Sequence, residues 1–197
     1  IRQKAGEWLK KVVDINHVLG AETVVGPYHS ALGTFSGSGP TADEKKRAAD
    51  VLRPVAEHAT AANLMLGIEY LNRFECYFLT TAADAKALVK AVNHPNFKMM
   101  YDTFHAHIDE KDVFKTLANC LPETIHVHIS ENDRGTPGTG KVHWKETFQA
   151  LRKGGYDGWL TIEAFGRSLP ALAAATKVWR DLFPHPEEVY TQGYRFM

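Results

Sequence analysis

The sequence has few of the features that mark several large protein classes. Its only cysteines are Cys76 and Cys120, which form no CxxC motif. Two isolated thiols do not form a disulfide framework, and they predict a reducing, cytoplasmic environment. No apolar run approaches the roughly 20 residues that span a bilayer, and the first residues lack the apolar stretch of a signal peptide. The sequence therefore predicts neither a secreted nor a membrane protein.

Neither sign of charge is in excess. The chain carries 23 Lys and Arg residues and 23 Asp and Glu residues, so its formal net charge at pH 7 is zero. Nucleic acids and anionic membranes attract proteins with an excess or a patch of basic residues. The charge balance therefore predicts that neither is a partner of this protein.

Patterns typical of strands and helices alternate along the whole chain. Five apolar runs resemble buried strands: ETVVGPY, LMLGIEYL, KMMYDTF, TIHVHIS and GWLTIEAF. Strands separated by helices form βα units with a parallel sheet and right-handed crossovers. With no linker-like segment, residues 1–197 are predicted to be one α/β domain. This pattern alone leaves a doubly wound sheet and a (β/α) barrel open.

Local signals indicate where some helices begin and end. Thr41 and Glu44 make a capping-box pattern, and Pro54 is expected to kink that helix or end its first half. Residues 183–197 are predicted to be a polar tail broken by prolines. A last amphipathic helix before this tail is predicted from three apolar residues, Leu169, Leu172 and Trp179.

Four of the five strands finish on a residue that can bind a metal or exchange a proton. Glu69, Asp102 and Glu163 close three strands, and His128 lies near the end of a fourth. The carboxyl ends of parallel strands form the active-site edge of α/β folds, so these side chains are expected to converge. Carboxylates crowded together repel each other unless a cation neutralises them. Three carboxylates and one imidazole suit Mn²⁺, Mg²⁺ or Co²⁺, which predicts a divalent metal site.

Two histidines share the strand TIHVHIS, and the sequence predicts different roles for them. His126 and His128 lie on one face because side chains alternate along a strand. His128 is nearer the end of the strand, where the acids are expected. His126 lies deeper, and it is predicted to be an interior histidine with its hydrogen bonds satisfied.

Longer motifs around these residues resemble a known family. The runs IEYLNRFE, YDTFH, HVHISENDRGTPGTGKVHW and GYDGWLTIEAF are similar to the D-tagatose 3-epimerase family of D-psicose (allulose) and L-ribulose 3-epimerases. This family belongs to the xylose-isomerase-like TIM-barrel superfamily, so the resemblance, from about residue 5 to 183, implies a (β/α)8 barrel. Such barrels need eight strands in about 250 residues. The five strands here therefore predict an incomplete barrel of about five C-terminal βα units.

The open edges of such a partial barrel also need an explanation. Exposed parallel edges are a liability for a monomer, so either the sequence is partial or the chain covers its edges by forming oligomers. The first residue, Ile1, is not an initiator methionine, which favours a partial sequence. Members of the resembled family are dimers or tetramers, which implies a homo-oligomer.

The resemblance further implies which residues do the chemistry. One divalent ion, usually Mn²⁺ or Co²⁺, would be bound by Glu69, Asp102, His128 and Glu163. Glu69 and Glu163 would also be the acid/base pair. The substrate is implied to contact four further residues: Glu75, His105 and Arg134 at the O1 end of a ketose, and Gly26 nearby.

The predicted function is divalent-metal-dependent epimerisation of a free ketose at C3, with D-tagatose, D-psicose or L-ribulose as the substrate type. A proton next to the C2 carbonyl would leave and return on the opposite face through a cis-enediolate. An aldose–ketose or hydroxypyruvate-type isomerase and an inactive truncated product remain alternatives. The run Asn72–Glu75 and Arg134 favour the epimerase. Zero net charge disfavours a phosphodiesterase resembling endonuclease IV.

Overall fold

The structure, a computed structural model, describes residues 2–197. The strands are β1 (Thr23–Gly26), β2 (Met65–Ile68), β3 (Phe97–Asp102), β4 (Thr124–Ile129) and β5 (Trp159–Ile162). The helices are α1 (Arg2–Val18), α2 (Ala42–Ala61), α3 (Ala82–Val92), α4 (Thr103–Asp109), α5 (Val113–Cys120), α6 (Trp144–Lys153), α7 (Pro170–Thr176) and α8 (Pro186–Phe196). A 3-10 turn, Leu121–Glu123, precedes β4.

The five strands form one parallel sheet in the order β1-β2-β3-β4-β5. Each strand pairs with its neighbours in sequence, as in a barrel, whereas a doubly wound sheet reverses its strand order. Gly67 leaves room for the side chains of Val25 and Ile125, because a Cβ there would come within 2.9 Å of Val25 and 3.3 Å of Ile125. The predicted incomplete TIM-type barrel is confirmed.

Alternation along the strands separates the core from the concave face of the sheet. Leu66, Ile68, Met99, Val127 and Ile129 are almost fully buried and join a core that includes apolar residues of the surrounding helices. Residues of the opposite parity face the inside of the curve. In the strands that carry the predicted site, the residues that face the inside include Gly67, Met100, His126 and Thr161. The next residue of the same parity at each strand end therefore projects into the mouth of the barrel.

The helix-start signals in the sequence are confirmed. Thr41 accepts a hydrogen bond from the Glu44 backbone N–H, and the Glu44 carboxylate accepts one from the Thr41 backbone N–H. Thr81 caps α3 in a similar way through the Asp84 backbone N–H. Pro54 does not end its helix, because α2 continues to Ala61.

The predictions for the C-terminal region were wrong in two respects. The predicted last helix is only the short α7, which ends where Lys177 takes a left-handed conformation, and Leu169, Leu172 and Trp179 are exposed. Residues 183–197 are not a tail, because most of them form α8. Pro186 starts this helix instead of breaking it, since a proline in the first turn needs no backbone N–H. Phe196 then packs against Trp144 with ring centroids 5.2 Å apart.

One further helix, α4, follows β3 directly, and none of the sequence signals described above indicates it. No helix among residues 2–197 is both long enough and apolar enough to cross a membrane.

Candidate functional site

The four strand-end residues meet at one edge of the sheet because the strand register aligns them. Asp102, the last residue of β3, is the register partner of His128 in β4. Glu163 follows β5, and its backbone N–H donates to the carbonyl of Ile129 at 3.1 Å. Glu69 follows β2 and has the same parity as Gly67. All four side chains therefore point into the mouth of the curved sheet.

The His128 ring lies at the centre of the three carboxylates. Its Nδ1 atom is 3.3 Å from Glu163 Oε1, 3.6 Å from Asp102 Oδ2 and 3.9 Å from Glu69 Oε1. The carboxylates of Glu69 and Asp102 are almost completely buried, at 5% and 0% exposure. The structure thus brings together the whole predicted set of metal ligands.

The two oxygens of Asp102 have different surroundings. Oδ1 accepts a hydrogen bond from the Phe104 backbone N–H and so caps α4. Oδ2 faces the cluster, 3.2 Å from Arg134 Nη1. The start of the unpredicted helix therefore fixes this carboxylate with one oxygen directed into the site.

The electrostatics of the cluster favour an added cation. Burial raises the pKa of Glu69 well above its usual value, and the charges of Asp102 and Glu163 raise it further. Burial lowers the pKa of His128, but the adjacent carboxylates of Asp102 and Glu163 outweigh it and raise that pKa to about 10. A positive charge is therefore stabilised at the His128 ring.

These residues fit a divalent metal ion. Ligand atoms of Asp102, His128 and Glu163 all lie within 4.8 Å of one another, and so do those of Glu69, Asp102 and His105. Asp102 belongs to both groups, and the combined oxygen and nitrogen donors are those that Mn²⁺, Mg²⁺ and Co²⁺ accept.

Replacing Asp102 with asparagine is expected to weaken metal binding. The change removes a negative charge from the middle of the cluster and keeps the shape of the side chain, so the affinity for Mn²⁺ should fall at least tenfold, a loss of about 1.4 kcal/mol. Isothermal titration calorimetry of wild type and D102N measures this directly. The exposed Asp50, replaced in the same way, is the matched control. Equal affinities in D102N and the wild type would contradict the assignment.

Arg134 reaches the cluster from the loop after β4. The residue has a positive φ of 67°, and its guanidinium is held between two aromatic rings, 3.6 Å from the centroid of Phe104 and 5.0 Å from that of Phe165. Its Nη1 also donates to Ser130 Oγ and to the Glu163 carboxylate. The side chain is thereby fixed with its donors facing the mouth of the barrel.

The other predicted substrate-binding residues lie around the same mouth. His105 is 1% exposed, and its Nε2 is 3.7 Å from Glu69 Oε1. Glu75 lies in the loop after β2, where its Oε1 accepts a hydrogen bond from the Asn72 side chain at 2.8 Å. Gly26 ends β1, and its carbonyl accepts from the Glu69 backbone N–H at 2.9 Å. His105 and Gly26 thus contact Glu69, and Glu75 is joined to His105 through Asn72.

His126 departs from its predicted role in one respect. The residue is buried, as expected, and packs edge-on against His128 with ring centroids 5.2 Å apart. Neither of its ring nitrogens has a hydrogen-bond partner within residues 2–197, so the prediction of a satisfied interior histidine was wrong. His126 lies on the concave face of the sheet. The backbone groups of the strands there already bond to one another, so they offer no partner to the His126 ring.

The sequence prediction gave no role to Glu131, which organises the Arg134 loop. Its carboxylate is fully buried and accepts hydrogen bonds from three backbone N–H groups and from the Trp144 indole, at 2.8 to 3.1 Å. Its backbone carbonyl accepts from the Arg134 N–H at 2.9 Å. The sequence gives no local sign that Glu131 accepts from backbone N–H groups of its own loop, because its neighbours are other polar and turn-forming residues.

Comparisons with known proteins agree with this architecture. The profile of the "Xylose isomerase-like TIM barrel" family matches residues 1–197. The chain is 33% identical to "Probable ketose 3-epimerase" of Synechocystis sp., over 96% of this chain and 66% of that protein. It is 34% identical to "Ketose 3-epimerase" of Arthrobacter globiformis, over 98% of this chain and 68% of that protein. The chain thus spans about two thirds of the length of these relatives.

A solved structure of similar fold comes from the same group of proteins. The D-allulose 3-epimerase of Methylomonas sp., in complex with D-allulose, superposes with a TM-score of 0.93 at 28% identity. The match covers 98% of this chain and 67% of that chain. These relatives confirm the resemblance that the sequence motifs indicated.

Proposed function

The chain belongs to the xylose isomerase-like TIM barrel family, and on this premise we propose that it epimerises a free ketose at C3 with a divalent metal ion. The names of its relatives, which include ketose 3-epimerases and L-ribulose 3-epimerases, support this reaction class. The observation that carries the proposal is the pair of carboxylates, Glu69 and Glu163, on either side of His128.

Two carboxylates that approach from different strands suit an inversion at carbon. Glu69 follows β2 and Glu163 follows β5, with β3 and β4 between them in the sheet. A ketose bound between the two would present opposite faces of C3 to them. One carboxylate takes the C3 proton, and the other, protonated, delivers a proton to the opposite face of the cis-enediolate. Because the roles can exchange, the reaction is reversible.

The residues around the pair are suited to holding the substrate. Arg134 and His105 offer N–H donors to the carbonyl and enediolate oxygens, and Glu75 offers an acceptor to a hydroxyl group. A divalent ion held by the four strand-end residues would polarise the C2 carbonyl as a Lewis acid. The buried position of Glu69 also raises its pKa, which favours the protonated form that one partner of an acid/base pair needs.

The metal-binding side chains support a proposal for the metal ion, and the free cysteines support one for the compartment. Three carboxylates with a single imidazole favour Mn²⁺, with Co²⁺ or Mg²⁺ as substitutes. Cys76 and Cys120 are both buried and free, which is consistent with a reducing compartment such as the cytoplasm.

Product analysis tests the proposal. The purified protein with Mn²⁺ is incubated with D-fructose, D-tagatose and L-ribulose, and the products are separated by chromatography. Formation of a C3 epimer from at least one ketose is expected, and the same reaction with D102N should give less product at the same metal concentration. If metal binds but none of the sugars gives a C3 epimer, the proposal is wrong.

A further inference from the structure

We propose that Asn72 is a positioning residue that fixes His105 as its Nε2–H tautomer and orients the Glu75 carboxylate. The inference rests on the proposed function for its meaning in substrate binding, but its structural content is independent of activity. It gives a structural reason for the donor role of His105 and the acceptor role of Glu75.

Asn72 contacts both residues through different groups. It is 1% exposed in the loop after β2, and its backbone N–H donates to His105 Nδ1 at 3.0 Å. Its side-chain Nδ2 donates to Glu75 Oε1 at 2.8 Å and also lies 3.0 Å from His105 Nδ1. Its Oδ1 accepts from the Phe74 backbone N–H at 2.9 Å, which sets which end of the amide faces the site.

The backbone contact determines the tautomer. A backbone N–H only donates, so the His105 Nδ1 atom that receives it must carry a lone pair. The neutral imidazole then has its proton on Nε2. The N–H of His105 therefore points away from Asn72 and into the mouth of the barrel.

The neighbours of His105 Nε2 leave its proton free to donate to a substrate oxygen. Glu69 Oε1 lies 3.7 Å away, and Arg134 Nη2 lies 3.3 Å away. The contact with Arg134 joins two donor nitrogens in this tautomer, so it is not a hydrogen bond. Two donors this close can share one acceptor, and an oxygen that gains negative charge during the reaction is such an acceptor.

The Asn72 amide also gives the two oxygens of the Glu75 carboxylate different roles. Nδ2 engages Oε1 and leaves Oε2 to accept from a substrate hydroxyl. An aspartate at position 72 would place an oxygen where Nδ2 now lies, facing Glu75 and His105 Nδ1. That oxygen would repel the carboxylate and favour a proton on Nδ1. Position 72 therefore needs the hydrogen-bond donor of an asparagine side chain, and a side chain of the same size without it does not suffice.

The tautomer is measured by long-range ¹H–¹⁵N correlation NMR on ¹⁵N-histidine-labelled protein with Mg²⁺, which is diamagnetic. The His105 signals are assigned as those missing from His105→Gln. We expect the Nε2–H pattern in the wild type. Asn72→Ala keeps the backbone donor, so it should retain the pattern. A wild-type ring protonated on Nδ1, or loss of the Nε2–H pattern in N72A, which keeps the backbone donor, would overturn the inference.

Kinetics test the consequence for substrate binding. In N72D and N72A, kcat/KM is expected to fall about 10- to 100-fold, which is the usual effect of losing a group that orients a ligand-binding residue. Asn96→Ala is the control, because the Asn96 side chain donates to the Leu64 carbonyl at the other end of the strands from the site. Wild-type kcat/KM in both Asn72 variants would contradict the inference. An inactive wild type with an Nε2–H ring would instead refute only the proposed function.

Discussion

Replacing Glu69 with glutamine is expected to lower the rate of C3 epimerisation by at least about 10³-fold, because the variant can neither accept nor return the C3 proton. Glutamine has nearly the same shape, so the site remains filled. The variant also loses one negative ligand for the metal, and the assay is therefore run at saturating Mn²⁺. With Glu163 intact, one carboxylate remains and inversion at C3 lacks its second proton carrier.

The same variant should keep or gain stability in the absence of metal. The folded-state pKa of Glu69 lies above its usual value, because burial and the charges of Asp102 and Glu163 disfavour the ionised form. In the wild type, stability is therefore lost as the pH rises from the unfolded-state pKa through the folded-state pKa. The glutamine variant does not ionise and is spared this loss. Thermal unfolding with a chelator, followed from pH 4 upwards, should show a smaller decline for the variant.

The exposed Glu57, changed to glutamine, is the matched control for both measurements. It should match the wild type in activity and in unfolding temperature. Two results would contradict these roles of Glu69: a Glu69→Gln variant with more than a tenth of wild-type activity, or one that is clearly less stable than the wild type without metal.

Replacing Glu131 with alanine is expected to lower the free energy of unfolding by about 3–5 kcal/mol. The change leaves three backbone N–H groups and the Trp144 indole without their acceptor, in a place that is closed to water. This loss is a large part of the stability of a typical domain, about 5–15 kcal/mol. Because Arg134 lies in the same loop, activity should fall as well.

Urea denaturation of Glu131→Ala, Glu131→Gln and the exposed control Glu57→Ala measures the effect. Glutamine keeps one acceptor oxygen and should lose less stability than alanine, while the control should stay within about 0.5 kcal/mol of the wild type. A loss below 1 kcal/mol in Glu131→Ala would show that the carboxylate does not hold the loop, since that is about the net worth of one ordinary hydrogen bond.

The pH dependence of Glu131 has the opposite sign to that of Glu69. Burial raises the pKa of Glu131, but hydrogen bonds from the backbone of Asn132 and Val142 and from Trp144 outweigh it and lower the pKa. Its contribution to stability is therefore present above the unfolded-state pKa and is lost as the pH falls through the folded-state pKa. Protonation of Glu131 should therefore make the wild type unfold in acid at a higher pH than its other carboxylates alone would cause.

The strand-end residues could be predicted from sequence because parity and register determine them. Glu69, Asp102, His128 and Glu163 each continue the concave parity of a strand, and the parallel register brings these positions to one edge. The type of sheet needed the family resemblance, since alternating helices and strands suit a barrel and a doubly wound sheet equally. The consecutive strand order then decided in favour of the barrel.

Features that depend on contacts between distant loops could not be predicted. The stacking of Arg134 on Phe104 joins the loop after β4 to the start of α4, and neither segment carries a local sign of it. The buried acceptor role of Glu131 likewise depends on how its loop closes. At the C-terminus, Pro186 was read as a helix breaker although it stands in a first turn, where proline is favoured.

Solvent deuterium incorporation distinguishes proton transfer at C3 from proton transfer at C1. A ketose is incubated in D₂O with wild-type protein and Mn²⁺, and the position of deuterium in substrate and product is determined by NMR. We expect deuterium at C3 of both epimers with the wild type, and no C3 epimer labelled with deuterium with Glu69→Gln. Deuterium at C1 with none at C3 would contradict the proposed C3 epimerisation, because proton transfer at C1 is the reaction of an aldose–ketose isomerase.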